Sequence, residues 1–160
     1  MFEMQSDIDA NTMAGVKPRT REVFMARWRE VLADPAIHSR LIEIPLPRGD
    51  GEREIVGSVS VFQSEGKDIL GYWIARPHWG KGIASLAVAE FLTLEPRRPL
   101  IATAATSNTR SHRVLEKCGF RRTGTRMGVE TDRYVAREIA DFVLEAGGHD
   151  EPHAFGGSVG

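Results

Sequence analysis

Two short stretches carry residues whose types and spacing suit chemistry: HWGKGIAS at 78–85 and SNTRSHRVLEKCGF at 107–120. In the first, Gly80 and Gly82 straddle Lys81, with Trp79 before them and an apolar pattern of helical spacing after them. Glycines so placed remove the Cβ atoms that block a close approach to backbone. The unpaired N–H groups of a first helical turn, helped by the helix dipole, then face an anion. The chemistry on offer is phosphate binding. A mononucleotide loop would end Gly-Lys-Ser/Thr so that a hydroxyl can hold Mg²⁺, but Lys81 is followed by Gly82. The dinucleotide fingerprint G-x-G-x-x-G is met at Gly80 and Gly82, with Ser85 in its third place. It also wants an acid at the end of the next strand, where the sequence runs Ala104-Ala105-Thr106-Ser107-Asn108. What remains is a pyrophosphate loop without a nucleotide-specific acid, or a plain strand-to-helix turn. The loop by itself leaves both open.

The elements that must position these stretches are legible in outline. Val23, Phe24, Trp28, Val31 and Leu32 recur at helical spacing over 20–33, and Asp34-Pro35 stops the pattern. A short apolar segment at 41–46 and the turn-rich PRGDG follow. Residues 54–62 and 69–75 read as the two strands of a hairpin. A helix is expected from Gly82 to before Pro96, a buried strand over 99–105, and a second short helix over 108–118 with Gly119 to end it. Residues 129–144 read as a late strand or two. Helices alternating with strands give a mixed α/β layer structure. Residues 1–18 read as an N-terminal arm, 19–145 as one domain, and 146–160 as a glycine-rich tail.

Composition narrows the partners. With Lys plus Arg at 21 and Asp plus Glu at 22, a net charge of −1 gives no overall pull toward nucleic acid or anionic lipid. Arg19, Arg21, Arg27 and Arg29, and later Arg121, Arg122 and Arg126, read as solvated positions with their stems on the surface. No apolar run approaches the roughly 20 residues of a membrane helix. The acidic start is unlike a secretory signal, and Cys118 is alone, so a cytoplasmic protein is expected. No metal site is expected.

Taken together, the two stretches resemble the GNAT superfamily of acyl-CoA-dependent N-acetyltransferases, over roughly residues 54–124. Within it they look most like the branch containing the ribosomal-protein N-terminal acetyltransferases. Trp79 and the N-x-x-S form of Asn108 and Ser111 carry that narrower likeness. The resemblance implies a largely antiparallel mixed sheet, helices on both faces, and splayed central strands. It implies acetyl-CoA as cosubstrate, its pyrophosphate held by backbone of Trp79, Gly80, Lys81, Gly82, Ile83, Ala84 and Ser85. The pantetheine arm would lie between strands 72–76 and 100–106. A backbone N–H among Ile74, Ala75 and Arg76 would serve the thioester oxygen, and Asn108 and Ser111 would meet the thiol end.

Each of these has a plainer reading beside it. Asn108 is a good helix N-cap, and Ser111 is a common residue in a first turn. Many relatives place a tyrosine acid where this chain has Leu115, so Ser111, one turn earlier on the same face, is taken for the thiolate contact. Cys118, at a helix C-terminus among apolar residues, reads as a small core residue. For the base that frees the amine, Glu43, Asp68, His78 and Tyr72 are candidates, with Glu43 preferred. The acceptor is a primary amine, on a small molecule or at a peptide N-terminus. The family's first strand is not recognisable in MFEMQSDIDANTMAG. The chain is short of that strand or borrows it from a partner, which brings a homodimer into view. Leu115 and the unassigned base also support a second reading, a non-catalytic acyl-CoA-binding sensor.

Overall fold

The computed structural model describes residues 1–49 and 51–147. Most of the tail expected from 146 onward lies outside the described residues. Helix α1 (Phe2–Gln5), α2 (Ile8–Ala14) and α3 (Arg21–Ala33) precede a meander of β1 (His38–Pro45), β2 (Arg53–Ser64) and β3 (Lys67–Ile74). Then come α4 (Ile83–Leu94), β4 (Leu100–Ala105), α5 (Thr109–Lys117), β5 (Arg121–Gly128) and β6 (Arg137–Leu144). Local chemistry sets the boundaries. The Thr20 side chain accepts from the Val23 amide to start α3. Glu65 and Gly66, both at positive φ, make the two-residue turn between β2 and β3. Glu95, ahead of Pro96, is extended and ends α4. Gly119 at φ +90 closes α5, with the Phe120 and Gly119 amides bonded back to Leu115 and Glu116.

The six strands lie in the order β1-β2-β3-β4-β6-β5. Every neighbouring pair is antiparallel except β3 and β4. Those two are parallel and in register only at Ile69 and Ile101, beyond which they part. One face of the sheet carries the core against α4 and α5, with Val59, Val61, Leu70, Val88, Leu100 and Phe142 buried. The other face carries the N-terminal helices. There Trp73 Nε1 donates to the Met4 carbonyl at 3.2 Å, Arg137 donates to the Thr12 carbonyl at 2.8 Å, and Ala10 is buried.

Two expectations differ from this. The N-terminal arm expected over 1–18 is largely helical, folding into α1 and α2, where Asp7 caps α2 by accepting from the Ala10 amide. The late pair of strands begins earlier than 129. Strand β5 is RRTGTRMG, exposed at every residue but Gly128, so no apolar alternation marks it and pairing with β6 makes it a strand. Among the described residues no helix is long and apolar enough to cross a membrane.

Candidate active site

A cleft of about 1430 Å³ runs at the parting of β3 and β4 and is lined from both faces of the sheet. Backbone polarity inside it follows from strand alternation. The Ala75 amide donates to the Val56 carbonyl at 2.8 Å. In an antiparallel pair the next residue turns its N–H and C=O the other way, so Ile74 faces β4 and the gap. On the far side the Thr106 amide bonds the Glu138 carbonyl, which by the same alternation turns Ala105 and Thr103 toward β3. Of Ile74, Ala75 and Arg76, expected to supply the oxyanion donor, Ile74 is aimed at the gap by this alternation. Ala75 is spent on β2. The Arg76 side chain turns to the N-terminal helices, 2.8 Å from Asp7 and 2.7 Å from Asp9.

The glycine loop lies at one mouth of this gap. Gly80 and Gly82 stand at φ +74 and +76, and Gly82 is the N-cap of α4. A side chain is strained in that region. A Cβ on either glycine would meet nothing within 4 Å, so the space beside them is open. The first helical bond runs from the Leu86 amide to the Gly82 carbonyl at 3.2 Å. The amides of Ile83, Ala84 and Ser85 therefore have no intrahelical acceptor. Open space, glycine backbone and free amides at the N-terminus of a 12-residue helix fit a diphosphate. Trp79 closes the loop: its indole donates to the Ile74 carbonyl at 2.9 Å, and the Arg110 guanidinium sits 5.2 Å above its ring. Lys81 is exposed beside the loop.

Across the gap, the Asn108 side chain accepts from the Ser111 amide at 3.2 Å, which is the N-cap of α5. The Ser111 hydroxyl lies 2.8 Å from the Tyr72 hydroxyl, so α5 and β3 meet through two side chains. Burial pushes the Tyr72 phenol up to about 12, which keeps it a neutral donor near pH 7. The geometry makes Tyr72 the hydrogen-bond partner of Ser111. Only the hydroxyl type at 72 signals the pair in the sequence. Leu115 is buried in the core. Cys118 is buried too, its Sγ 3.5 Å from the Ser85 carbonyl, and burial raises its thiol, so its reading as a core residue stands.

The preferred base, Glu43, is not brought to the site. It sits on the edge strand β1, opposite Ile55, with its carboxylate 3.4 Å from Arg53 and outside the cleft. The preference for Glu43 rested on the resemblance, and here a bulge lies between Ile42 and Glu43 on the edge strand. Asp68 is held by Arg97 at 3.4 Å. His78 does line the cleft; its Nδ1 is buried without a hydrogen-bond partner among the described residues, and its Nε2 is 3.8 Å from Glu54.

Comparison with known proteins agrees with this geometry. No curated protein gives a significant sequence match. Among solved structures the fold is shared with spermidine N-acetyltransferase from Vibrio cholerae in complex with CoA and spermine. That match has 16% identity and a TM-score of 0.71, over 90% of this chain and 86% of that one. It is shared also with the microcin C7 self-immunity acetyltransferase MccE in complex with acetyl-CoA and AMP (14%, TM-score 0.69, 90% and 84% covered). A third match is a GNAT-family acetyltransferase from Bacillus anthracis (21%, TM-score 0.68, 91% and 86% covered). These matches do not single out the ribosomal-protein branch that Trp79 and Asn108-x-x-Ser111 suggest. The sequence profile of the acetyltransferase (GNAT) domain matches residues 1–121. The chain belongs to the GNAT acetyltransferase family, whose acyl donor is acetyl-CoA.

Proposed function

We propose that the chain moves the acetyl group of acetyl-CoA directly to the primary amine of a small molecule, within one domain that takes in α1 and α2 as well as the expected 19–145. The observation that carries this is the convergence, at one gap in the sheet, of the open glycine loop, the inward-facing Ile74 backbone and the Tyr72–Ser111 hydroxyl pair.

Acetyl-CoA supplies an activated thioester. The amides of Ile83, Ala84 and Ser85, with Gly80, Lys81 and Gly82, grip its diphosphate, and Trp79 fixes the loop. The Ile74 N–H donates to the carbonyl oxygen as the amine nitrogen bonds to carbon and negative charge builds. As the carbon–sulfur bond breaks, Ser111 donates a hydrogen bond to the departing sulfur, backed by Tyr72. A phenol at about 12 does not surrender its proton to a thiolate, whose conjugate acid lies near 8.5. The pair therefore stabilises charge, and the proton lost by the amine neutralises the thiolate. His78 serves as the base, supported by its place in the cleft lining, whereas Glu43 lies outside that lining beside Arg53.

A small acceptor is favoured because α1 and α2 cover the sheet face opposite α4 and α5. The neighbours crystallised with spermine and with AMP also hold small molecules. Trp79 and the N-x-x-S form still support kinship with the ribosomal-protein branch. The lone buried cysteine supports a cytoplasmic setting. The test is release of free thiol from acetyl-CoA with a panel of small amines, alongside thermal shifts with acetyl-CoA, CoA and NAD. Thiol release with at least one amine is expected. A shift with CoA but no thiol released by any amine would leave a non-catalytic acyl-CoA binder, the reading that Leu115 invites.

A further inference from the structure

On the helix-covered side of the sheet the cleft is lined by arginines. Arg19 lies just before α3, Arg27 lies in α3, and Arg133 stands in the β5–β6 loop. These are not the solvated positions the sequence suggests for Arg19 and Arg27: Arg19, Arg27 and Arg133 are half-buried, and their charges are close enough to act on one another. The chain is folded so as to bring two of them together. The Lys17 amide donates to the Arg133 carbonyl at 2.7 Å, Arg133 Nη1 donates to the Lys17 carbonyl at 2.6 Å, and Val16 pairs with Tyr134.

Among the described residues neither Arg19 nor Arg133 has a carboxylate within 4.0 Å, and Arg27 has only the exposed Glu30 at 3.0 Å. The carboxylates that line the cleft do not compensate. Asp141 is taken by Arg126 at 2.8 Å, Glu65 sits in the β2–β3 turn, and Glu145 lies past the end of β6. Like charges held together and partly out of water cost free energy that an anion joining them offsets. The strain is visible in Arg133, whose guanidinium burial and the nearby Arg19 charge bring down to about 10. Of the five N–H donors of Arg133, hydrogen bonds among the described residues use one group, Nη1, leaving the rest of the fork for a bidentate oxyanion.

We propose that the acceptor is an amine that also carries an oxyanion, a carboxylate or a phosphate, and that Arg19 and Arg133, with Arg27 beside them, hold that group. This rests on the acetyl-transfer reading above and names the substrate class for the same cleft. A polyamine, which needs carboxylates in these places, is the wrong ligand for it.

The experiment uses acceptor pairs that differ only in the anion: an amino acid against its amide, and O-phosphoethanolamine against ethanolamine, with spermidine as the cationic control. Thiol release from acetyl-CoA is expected to show kcat/KM at least tenfold higher for the anionic member, and which pair responds tells carboxylate from phosphate. Arg19→Gln and Arg133→Gln should each raise KM for that acceptor at least tenfold with KM for acetyl-CoA unchanged, and Arg133→Lys should recover part of the loss. Arg133 also pins the Lys17 carbonyl; if its glutamine variant does not fold, Arg19→Gln decides. Equal or better turnover of the neutral amines or of spermidine overturns the proposal, as does a loss in the arginine variants shared by every acceptor. If no acceptor is turned over, the same pairs are read by thermal shift with and without CoA. A rise with an anionic member that Arg19→Gln abolishes upholds the site, and no rise overturns it. The CoA shift is scored separately, so a failure to bind cofactor strikes the transferase reading and not the arginine site.

Discussion

The hydroxyls of Tyr72 and Ser111 lie 2.8 Å apart, joining β3 to α5 where the central strands have separated. Ser111 reaches the site from a capped helix and Tyr72 from a strand, so neither is free to shift without the other. Hydrogen bonds to a charged group contribute about 1.5–3 kcal/mol. Tyr72→Phe and Ser111→Ala should therefore each lower kcat by about tenfold to a hundredfold, with little change in acetyl-CoA affinity. Groups acting as a unit are not additive, so the double variant should fall no further than the worse single one. Stopped-flow thiol release on all four proteins measures this. Two losses that multiply would mean the hydroxyls act separately.

Gly82→Ala tests the loop. Its φ of +76 costs an alanine about 1–2 kcal/mol, which for a domain of this size is a fall of several degrees in Tm. The added methyl meets no protein atom within 4 Å, so any loss of acetyl-CoA binding comes from the ligand's space being filled. Gly66→Ala is the matched control, at φ +74 with equally open surroundings in the β2–β3 turn. Both variants should lose similar stability, and only Gly82→Ala should lose affinity by calorimetry. Equal affinity in the two would place the diphosphate elsewhere.

The glycine loop, α3, α4, α5 and the β2–β3 hairpin were legible because capping residues, glycines and apolar spacing act locally. Asn108 and Gly119 mark both ends of α5 by their own chemistry. What sequence reading missed depends on pairing across the sheet. Strand β5 has no apolar face and exists through its register with β6. The expectation for Glu43 came from the resemblance and not from local chemistry, and Glu43 lies on the edge strand beside Arg53. Tyr72 was weighed as a base, since neither its burial nor its distance to Ser111 is written in local sequence. Arg133 went unnoticed for the same reason: its approach to Arg19 is set by the contact between the β5–β6 loop and residues 16–17.

Trp79 has two separable roles. Trp79→Phe keeps an aromatic face for Arg110 but removes the donor to the Ile74 carbonyl. An acceptor left unpaired costs about 1–3 kcal/mol, and Ile74 is the residue whose amide faces the gap. The expected result is a lower Tm and a lower kcat with KM for acetyl-CoA nearly kept. Trp79→Ala should raise that KM as well, because the loop then loses the ring. A Phe variant with wild-type kcat would detach the Ile74 amide from the reaction.

Glu95 ties the end of α4 to β1 from within the fold, only 2% exposed. Arg97 grips it through both oxygens, Nε at 2.8 Å and Nη2 at 2.9 Å, and His38 Nδ1 adds a contact of 2.7 Å. The hydrogen bonds from Arg97, opposed by burial and aided by His38, bring its carboxyl down to about 2 from an ordinary 4.5. A carboxylate depressed on folding stabilises the native state above its unfolded value and loses that contribution as pH falls through the folded one. The window is therefore pH 4.5 down to 2, and the contribution lost across it is about 3 kcal/mol. Urea unfolding of the wild type and of Glu95→Gln from pH 7 to pH 2 reads it directly. At pH 7 the variant should be less stable by about 3–5 kcal/mol, since Arg97 is left without its counter-charge. That gap should narrow through the window as the wild-type carboxylate takes up its proton. A gap of constant size would mean that packing around residue 95, and not its charge, holds the end of α4 in place.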